Sequence, residues 1–261
     1  MLELKRIVVF TRDDNQDYPI DRIARRFGDA EVIHYGEDEP TSNAQVDLVL
    51  ALGGDGTVLR AMVAFPGAPV LAINYGNVGF LTQTDKENLE PALDRLCSGD
   101  YFVEERLTLQ IEHEGQLYRS INELVVKGAN RMIVVEIEIN ERFIHAPRGD
   151  GVILGTPTGS TAYLLSTGAP LVVPDADCMI LKPLNEYKFS SRSVVVSGDT
   201  RVRLTVREER ESALTMCVDG GEVIPLADGA IIDVRRSPTP ARLVCFESDY
   251  FFRNLKERLS W

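Results

Sequence analysis

Leu48-Val-Leu-Ala-Leu-Gly-Gly-Asp-Gly-Thr-Val-Leu-Arg60 is the stretch whose reading decides the fold. Residues 49–52 are apolar and predict a buried strand. Gly53, Gly54, Asp55, Gly56 and Thr57 form a turn, after which Val58, Leu59, Met62 and Val63 fall on one face of a helix. A strand, turn and helix in this order aim backbone N–H groups and the positive end of the helix at whatever lies above the turn, which favours a phosphate. Glycines let the backbone come close. Asp55 is the odd member, because a carboxylate beside a bound anion is repelled and needs a task that offsets the repulsion. It could accept a proton from a hydroxyl nucleophile or hold Mg²⁺ against the phosphates. The plainer alternative is a tight turn with Asp55 as a helix N-cap.

Working outward, residues 4–10 read as a strand and 19–27 as a helix, with Pro19 near its first turn and Gly28 as its stop. Residues 31–35, 46–52 and 69–73 are further strands. The last of these leads into the loop Asn74-Tyr-Gly-Asn-Val-Gly-Phe-Leu-Thr82, and residues 85–97 form a helix ending at Gly99. Strands alternating with helices predict an α/β domain, an open and largely parallel sheet with helices on both faces. Ligands of such sheets sit beyond the carboxyl ends of the strands, where both glycine loops fall.

Beyond residue 100 the texture changes. Period-two segments at 107–112, 134–139, 202–206 and 231–234, with turns at Glu114-Gly115, Asp219-Gly220-Gly221 and Asp228-Gly229, predict β-rich, mainly antiparallel structure. Residues 249–259 read as a helix with Phe251, Phe252, Leu255 and Leu259 on one side, returning to the first domain. The expected division is residues 1–100 plus 245–261 for the α/β domain and 101–244 for the β-rich domain.

With 40 acidic against 28 basic residues among 261, the net charge is −12. That balance argues against general nucleic-acid or anionic-membrane binding, so an anionic ligand must be met by local cations and N–H groups. Cys97, Cys178, Cys217 and Cys245 are scattered without a C-x-x-C pair, and His34, His113 and His145 show no metal-ligand spacing. Reduced thiols and the lack of a membrane-length apolar run lead to the expectation of a soluble, cytoplasmic protein.

Two further segments carry chemistry. Arg148-Gly-Asp-Gly-Val-Ile-Leu-Gly-Thr-Pro-Thr-Gly-Ser-Thr-Ala-Tyr-Leu-Leu-Ser166 places Thr156, Thr158, Ser160, Thr161 and Ser166 around Pro157 and Gly159. Such hydroxyls can read a base or ribose and Tyr163 offers a ring to pack on it, whereas a mere helix cap needs only one hydroxyl. Asn122-Glu123 stands at the start of an apolar strand. A carboxylate there can accept both hydroxyls of a ribose, and an amide can pair with a purine edge. Arg60, Arg131, Arg148 and Arg192 are the candidate cations for phosphates.

Together these residues resemble the NAD kinase family, through Gly53-Gly-Asp-Gly-Thr57, Asn74-x-Gly-x-x-Gly-Phe-Leu-Thr82, Asn122-Glu123, Asp150-Gly151 and Thr156-Pro-Thr-Gly-Ser-Thr-Ala-Tyr163 in that order. The resemblance implies transfer of the terminal phosphoryl of ATP or polyphosphate, with Mg²⁺ or another divalent metal, to the 2′-hydroxyl of the adenosine ribose of NAD. It also implies a homodimer or homotetramer. It makes Asp55 the proton acceptor, with Gly56 alongside, and Asn122 and Glu123 the pair that holds the adenosine half. Arg131, Arg148, Asp150, Thr158, Thr161, Ala162, Tyr163 and Ser166 match the rest of the dinucleotide site, leaving Gly53, Gly54, Gly56, Thr57 and Arg60 for the donor's phosphates. The chain departs from the pattern at Gly168-Ala169-Pro170, in residues 183–192, which lack a common histidine, and at Asp219-Gly220-Gly221, which lacks a common glutamine. Two other classes share part of the signal. A lipid kinase would carry the glycine turn together with an apolar acyl tunnel, and a dinucleotide sensor would keep the loop without turnover.

Overall fold

The computed structural model describes residues 4–12, 18–36, 45–76, 79–187, 192–208 and 213–259. Two compact units emerge, Met1–Glu105 with Pro240–Trp261, and Arg106–Thr239.

The first unit is built on a sheet whose strands lie in the order Glu31–Gly36, Arg6–Thr11, Leu48–Leu52, Pro69–Asn74, Ala241–Cys245 and Phe102–Arg106. Val9, Leu50 and Leu71 stand in register across three parallel strands. Alternate residues take opposite faces. Ile7, Val9, Leu48, Leu50, Leu71 and Ile73 share one buried cluster with Ile23 of the helix Ile20–Phe27 and with Leu89, Leu93 and Leu96 of the helix Leu89–Ser98. Phe10, one residue on from Val9, meets Phe65 edge-on at the end of the helix Asp55–Ala64. Helices therefore cover both faces, and the expected α/β architecture is the one found.

Local details refine the reading. The helix expected from residue 85 starts as a short 3₁₀ turn, Lys86–Asn88, because the Asp85 carboxylate accepts the Asn88 N–H and opens the chain there. Gly99 ends the helix in the left-handed conformation, with φ 76°. In the helix Tyr250–Leu259 the inward face is Tyr250, Phe251, Asn254 and Leu255, whereas Phe252 is 59% exposed. Phe252 therefore does not share the buried side expected of it. Asn254 occupies the inner stripe because its amide donates to the Thr82 carbonyl at 3.3 Å.

The second unit is a sandwich of two antiparallel sheets. One has the order Arg142–His145, Ile133–Ile139, Val202–Arg207, Ile231–Arg236, Leu109–His113, Gln116–Ser120; the other runs Val194–Ser197, Cys178–Leu184, Gly151–Gly155, Glu123–Gly128, Leu214–Val218, Val223–Leu226. Ile133, Val135, Leu204 and Ile232 from the first meet Leu124, Val152, Leu154 and Met216 from the second in one core. The second sheet is buried on its other face as well, where Val125, Ile153 and Ile180 pack under Leu164 and Ala169. Burial on both faces explains the continuous apolar runs of its central strands.

Register sets the site. Gly155 pairs with Glu123, and Val218 pairs with Leu124. The start of one strand and the ends of its two neighbours thus lie side by side, which brings Asn122-Glu123, the segment after Gly155 and Asp219 to one end of the sheet.

Candidate active site

In the first unit, Leu48–Leu52 feeds the turn and Asp55 is the first residue of its helix. Gly54 is the N-cap, its carbonyl accepting the N–H groups of Thr57 at 3.0 Å and Val58 at 3.2 Å, and no side chain caps the helix. The N-cap alternative for Asp55 is therefore not realised. Its half-buried carboxylate reaches instead to the second glycine loop, where Oδ2 accepts the Phe80 N–H at 2.8 Å and Oδ1 the Leu81 N–H at 3.0 Å. A carboxylate offers about four lone-pair positions, so these two bonds fix its direction and leave a position on each oxygen for a ligand.

The glycines of the two loops differ in kind. A Cβ at Gly53 would overlap the Thr57 side chain, and one at Gly79 would overlap the Asp55 carboxylate. At Gly54 and Gly76 a Cβ would meet no atom of the described residues within 4 Å. The fold requires the first pair, whereas the second pair leaves open space over the turn, the room a phosphate needs. Thr57 is buried, and Arg60 is exposed with its guanidinium 3.4 Å from the Cβ position of Gly56. Asn74 closes the second loop onto Gly76, its side chain both donating to the Gly76 carbonyl and accepting the Gly76 N–H.

In the second unit, Glu123 is 6% exposed and its carboxyl accepts the Tyr163 N–H, yet among the described residues its Oε2 has no partner. Burial, reinforced by the nearby Asp219 charge, pushes its pKa up from 4.5 to about 7, while the Tyr163 N–H opposes the rise. A buried carboxyl with an empty acceptor position is prepared for hydroxyl donors. The adjoining loop is held against Asn122, whose carbonyl accepts the Thr156 N–H at 2.9 Å, and a Cβ at Gly159 would strike that same carbonyl.

The loop hydroxyls, expected from the sequence to face a ligand, are engaged within the unit. Thr156 donates to the Ile121 carbonyl at 2.5 Å, Ser160 to Val172, Thr161 to Thr158 and Ser166 to Tyr163, and Thr158 accepts from Arg106 at 3.1 Å. The donor hydrogens of Thr156, Ser160, Thr161 and Ser166 shape the loop, and the oxygens keep acceptor capacity. Ala162 joins the 3₁₀ turn Thr158–Thr161 to the single helical turn Tyr163–Ser166, and the Tyr163 ring is 46% exposed.

Arg131, Arg148, Asp150 and Tyr163 line one cavity of about 680 Å³, with Lys127 and Asn185. Arg148 stacks its guanidinium 5.3 Å from the Tyr187 ring centroid, and Asp150 accepts the Asn185 amide at 2.7 Å. Tyr163 links the two groups, with its N–H on Glu123 and its side on the cavity. The register from Gly155–Glu123 to Gly151–Lys127 spans four residue steps, roughly 13 Å of strand, so the sites form an elongated track. Arg192 belongs to neither group in the contacts of the described residues. The backbone donors Phe80 and Leu81, and Asp219, were not singled out as site residues from the sequence; Phe80 and Leu81 lie inside the second glycine motif, and Asp219 was visible only as a turn residue. Among the described residues no cluster of three His, Cys, Asp or Glu side chains is arranged to hold a metal, and no helix is long and apolar enough to cross a membrane.

Comparison with known proteins matches residues 21–101 to the ATP-NAD kinase N-terminal domain and residues 121–246 to the ATP-NAD kinase C-terminal domain. The chain is 41% identical over 219 residues to the NAD kinase of Moorella thermoacetica, covering 81% of this chain and 70% of that protein. It is 33% identical over 270 aligned positions to that of a Thermoanaerobacter species, covering 99% and 94%. Among solved structures, an Archaeoglobus fulgidus NAD kinase in complex with ATP superimposes with a TM-score of 0.80 at 27% identity, covering 98% of each chain. Yeast NADH kinase complexed with NADH shares the fold, with a TM-score of 0.85 at 21% identity over 99% of this chain and 88% of that one.

Proposed function

The chain belongs to the NAD kinase family and phosphorylates NAD, and from that premise we propose that Asp55 takes the proton from the 2′-hydroxyl of the adenosine ribose as the phosphoryl group arrives from ATP. A ribose hydroxyl is a poor nucleophile near neutral pH, and a carboxylate within hydrogen-bond reach removes its proton in the transition state. The observation that carries this role is the fixed aim of Asp55, held by the Phe80 and Leu81 N–H groups with a position left on each oxygen. Gly53, Gly54, Gly56 and Thr57 present the turn to the donor's phosphates, with Arg60 as the nearby cation. The ATP-bound relative supports ATP as donor.

Asn122 and Glu123 hold the adenosine half, Glu123 accepting hydroxyls at its unpartnered oxygen. Arg131, Arg148 and Asp150 meet the rest of the dinucleotide in the cavity and Tyr163 packs along it, while Thr158, Thr161, Ala162 and Ser166 belong to the loop that carries Tyr163 and set its place beside Glu123. Mg²⁺ keeps most of its waters and binds through one or two carboxylates plus substrate phosphates. Asp55 fits as the protein carboxylate, and the ion when bound supplies charge neutralisation on the phosphates. Assembly into a homodimer or homotetramer is supported by exposed Phe143 and Ile144 on one edge strand and Val194 and Val195 on another, since edge strands with apolar side chains favour pairing with a second copy. Four free cysteines fit a reducing compartment such as the cytoplasm.

The test is an assay with NAD, Mg²⁺ and either ATP or polyphosphate, coupled to an NADP-specific dehydrogenase, beside Asp55→Asn. NADP formed by the wild type, with kcat reduced about 10²- to 10⁴-fold in the variant and NAD affinity retained, supports the role. Full activity of the variant removes Asp55 as the base.

A further inference from the structure

The chain crosses from one sheet of the sandwich to the other at residues 120–123, between the strands Gln116–Ser120 and Glu123–Gly128. Donors at such a crossing need acceptors beyond the ladders, and Ser120 and Ile121 lie at 0% exposure here. One carboxylate accepts from four donors of this segment. Asp219 Oδ1 accepts the Ser120 hydroxyl at 2.7 Å and the N–H groups of Asn122 at 2.8 Å and Glu123 at 3.0 Å, while Oδ2 accepts the Ile121 N–H at 2.7 Å. In return the Asp219 N–H donates to the Glu123 carbonyl at 3.0 Å.

Asp219 is held in the left-handed region, φ 49°, which a short polar side chain tolerates better than most. Four donors on consecutive residues require an acceptor-only group with about four lone-pair positions, and only an ionised carboxylate of this length meets that description. An amide would turn its NH₂ toward one of the four donors.

We infer that Asp219 is a positioning residue for dinucleotide binding, acting through Asn122 and Glu123 and never touching the ligand itself. The inference rests on the assignment of that pair to the adenosine half of NAD. The bonds fix where both side chains leave the backbone, and the Asp219 charge stands close enough to Glu123 to hold its carboxyl toward the protonated form. Arg119, on the strand before the crossing, is the cation that faces Asp219. Removing the Asp219 charge therefore keeps Glu123 ionised, and able to accept hydroxyls, to lower pH.

The experiment compares full-length wild type, Asp219→Asn, Ser120→Ala and Glu123→Gln by steady-state kinetics from pH 5.5 to about 8.5, with unfolding midpoints as a check. Asp219→Asn is expected to raise KM for NAD about tenfold, as one lost buried hydrogen bond can, with kcat and KM for ATP changed less than about threefold. The acid limb of kcat/KM for NAD moves down by roughly half a pH unit or more. Ser120→Ala removes one of the four bonds without removing the charge, so it raises KM for NAD by a smaller factor and leaves the acid limb in place. Folded Asp219→Asn with unchanged KM for NAD overturns the inference, as does an equal fall in activity toward both substrates with no movement of the acid limb. If Asp219→Asn does not fold, Ser120→Ala decides by the same KM comparison. Glu123→Gln with unchanged KM for NAD would instead defeat the assignment of the adenosine pair, a result separate from either outcome at Asp219.

Discussion

Replacing Glu123 by Gln tests the most perturbed group of the site through folding stability alone, without substrate. In the unfolded chain its carboxyl releases its proton near 4.5, whereas in the folded protein, buried and beside Asp219, it releases it at about 7. Between those two values the native state holds a proton that the unfolded state has lost. Native stability therefore falls as pH rises through the window, and the loss is complete above pH 7. The distance between the two values corresponds to about 3 kcal/mol, and Glu123 at 6% exposure is shielded from solvent screening. Glutamine keeps the shape and does not titrate. The stability of Glu123→Gln relative to wild type should therefore be about 3 kcal/mol more favourable at pH 8 than at pH 4.5, whatever constant packing cost the substitution carries. Urea unfolding followed by far-UV circular dichroism at pH 4.5, 6, 7 and 8 measures it, and other titrating groups cancel in the difference. A difference between the two proteins that stays flat across this range would refute both the raised proton affinity and its cause.

With Glu123 in its proposed place at the adenosine half, the same ionisation should set affinity: NAD should bind wild type about tenfold more weakly per pH unit below 7 as Glu123 protonates, with the slope absent in Glu123→Gln, checked by titration calorimetry. Gly79→Ala puts a methyl group into the Asp55 carboxylate and should lower kcat by about tenfold or more, because it moves the proposed base rather than the ligand. Gly54→Ala and Gly76→Ala meet no atom of the described residues within 4 Å, so their thermal midpoints should match wild type, and any loss of activity in them reports a clash with the bound donor. Arg148→Ala should raise KM for NAD by about tenfold with kcat nearly unchanged in the coupled assay, the signature of uniform binding. Phe143→Asp with Ile144→Asp should reduce the mass found by light scattering if that edge joins two copies.

The architecture was legible because each unit states its period openly. Val49 to Leu52 needs burial on both faces and announces a central parallel strand, while the alternation of residues 133–139 and 202–207 announces a sandwich. Ala241–Cys245 was harder to see, being five residues after a run of Ser, Pro and Thr, and it is a strand because Pro69–Asn74 and Phe102–Arg106 flank it in the sheet. The turn of the last helix by one position has the same origin. Asn254 goes inward and Phe252 outward because a carbonyl of the Phe80 to Thr82 loop, far away in sequence, accepts the amide. Local pattern cannot carry a preference that only a distant acceptor creates.

The site was legible in composition but not in direction. Counting hydroxyls on residues 156–166 suggested donors for a ligand, yet a hydroxyl on a glycine turn finds its nearest acceptors in the turn itself, and those carbonyls take the donor hydrogens first. Asp55 shows the converse. Its partners are the backbone N–H groups of residues 80 and 81, which every non-proline residue owns, so the motif that contains Phe80 and Leu81 does not show which N–H groups point at Asp55. Glycine carries both kinds of hidden meaning within one dipeptide. Gly53 is required by a protein atom, the Thr57 side chain, whereas nothing among the described residues requires Gly54 to lack a Cβ. A residue that the described fold leaves unexplained at the mouth of a proposed phosphate-binding turn is best explained by what enters that turn, so Gly54, rather than Gly53, is the position at which substitution reads the ligand.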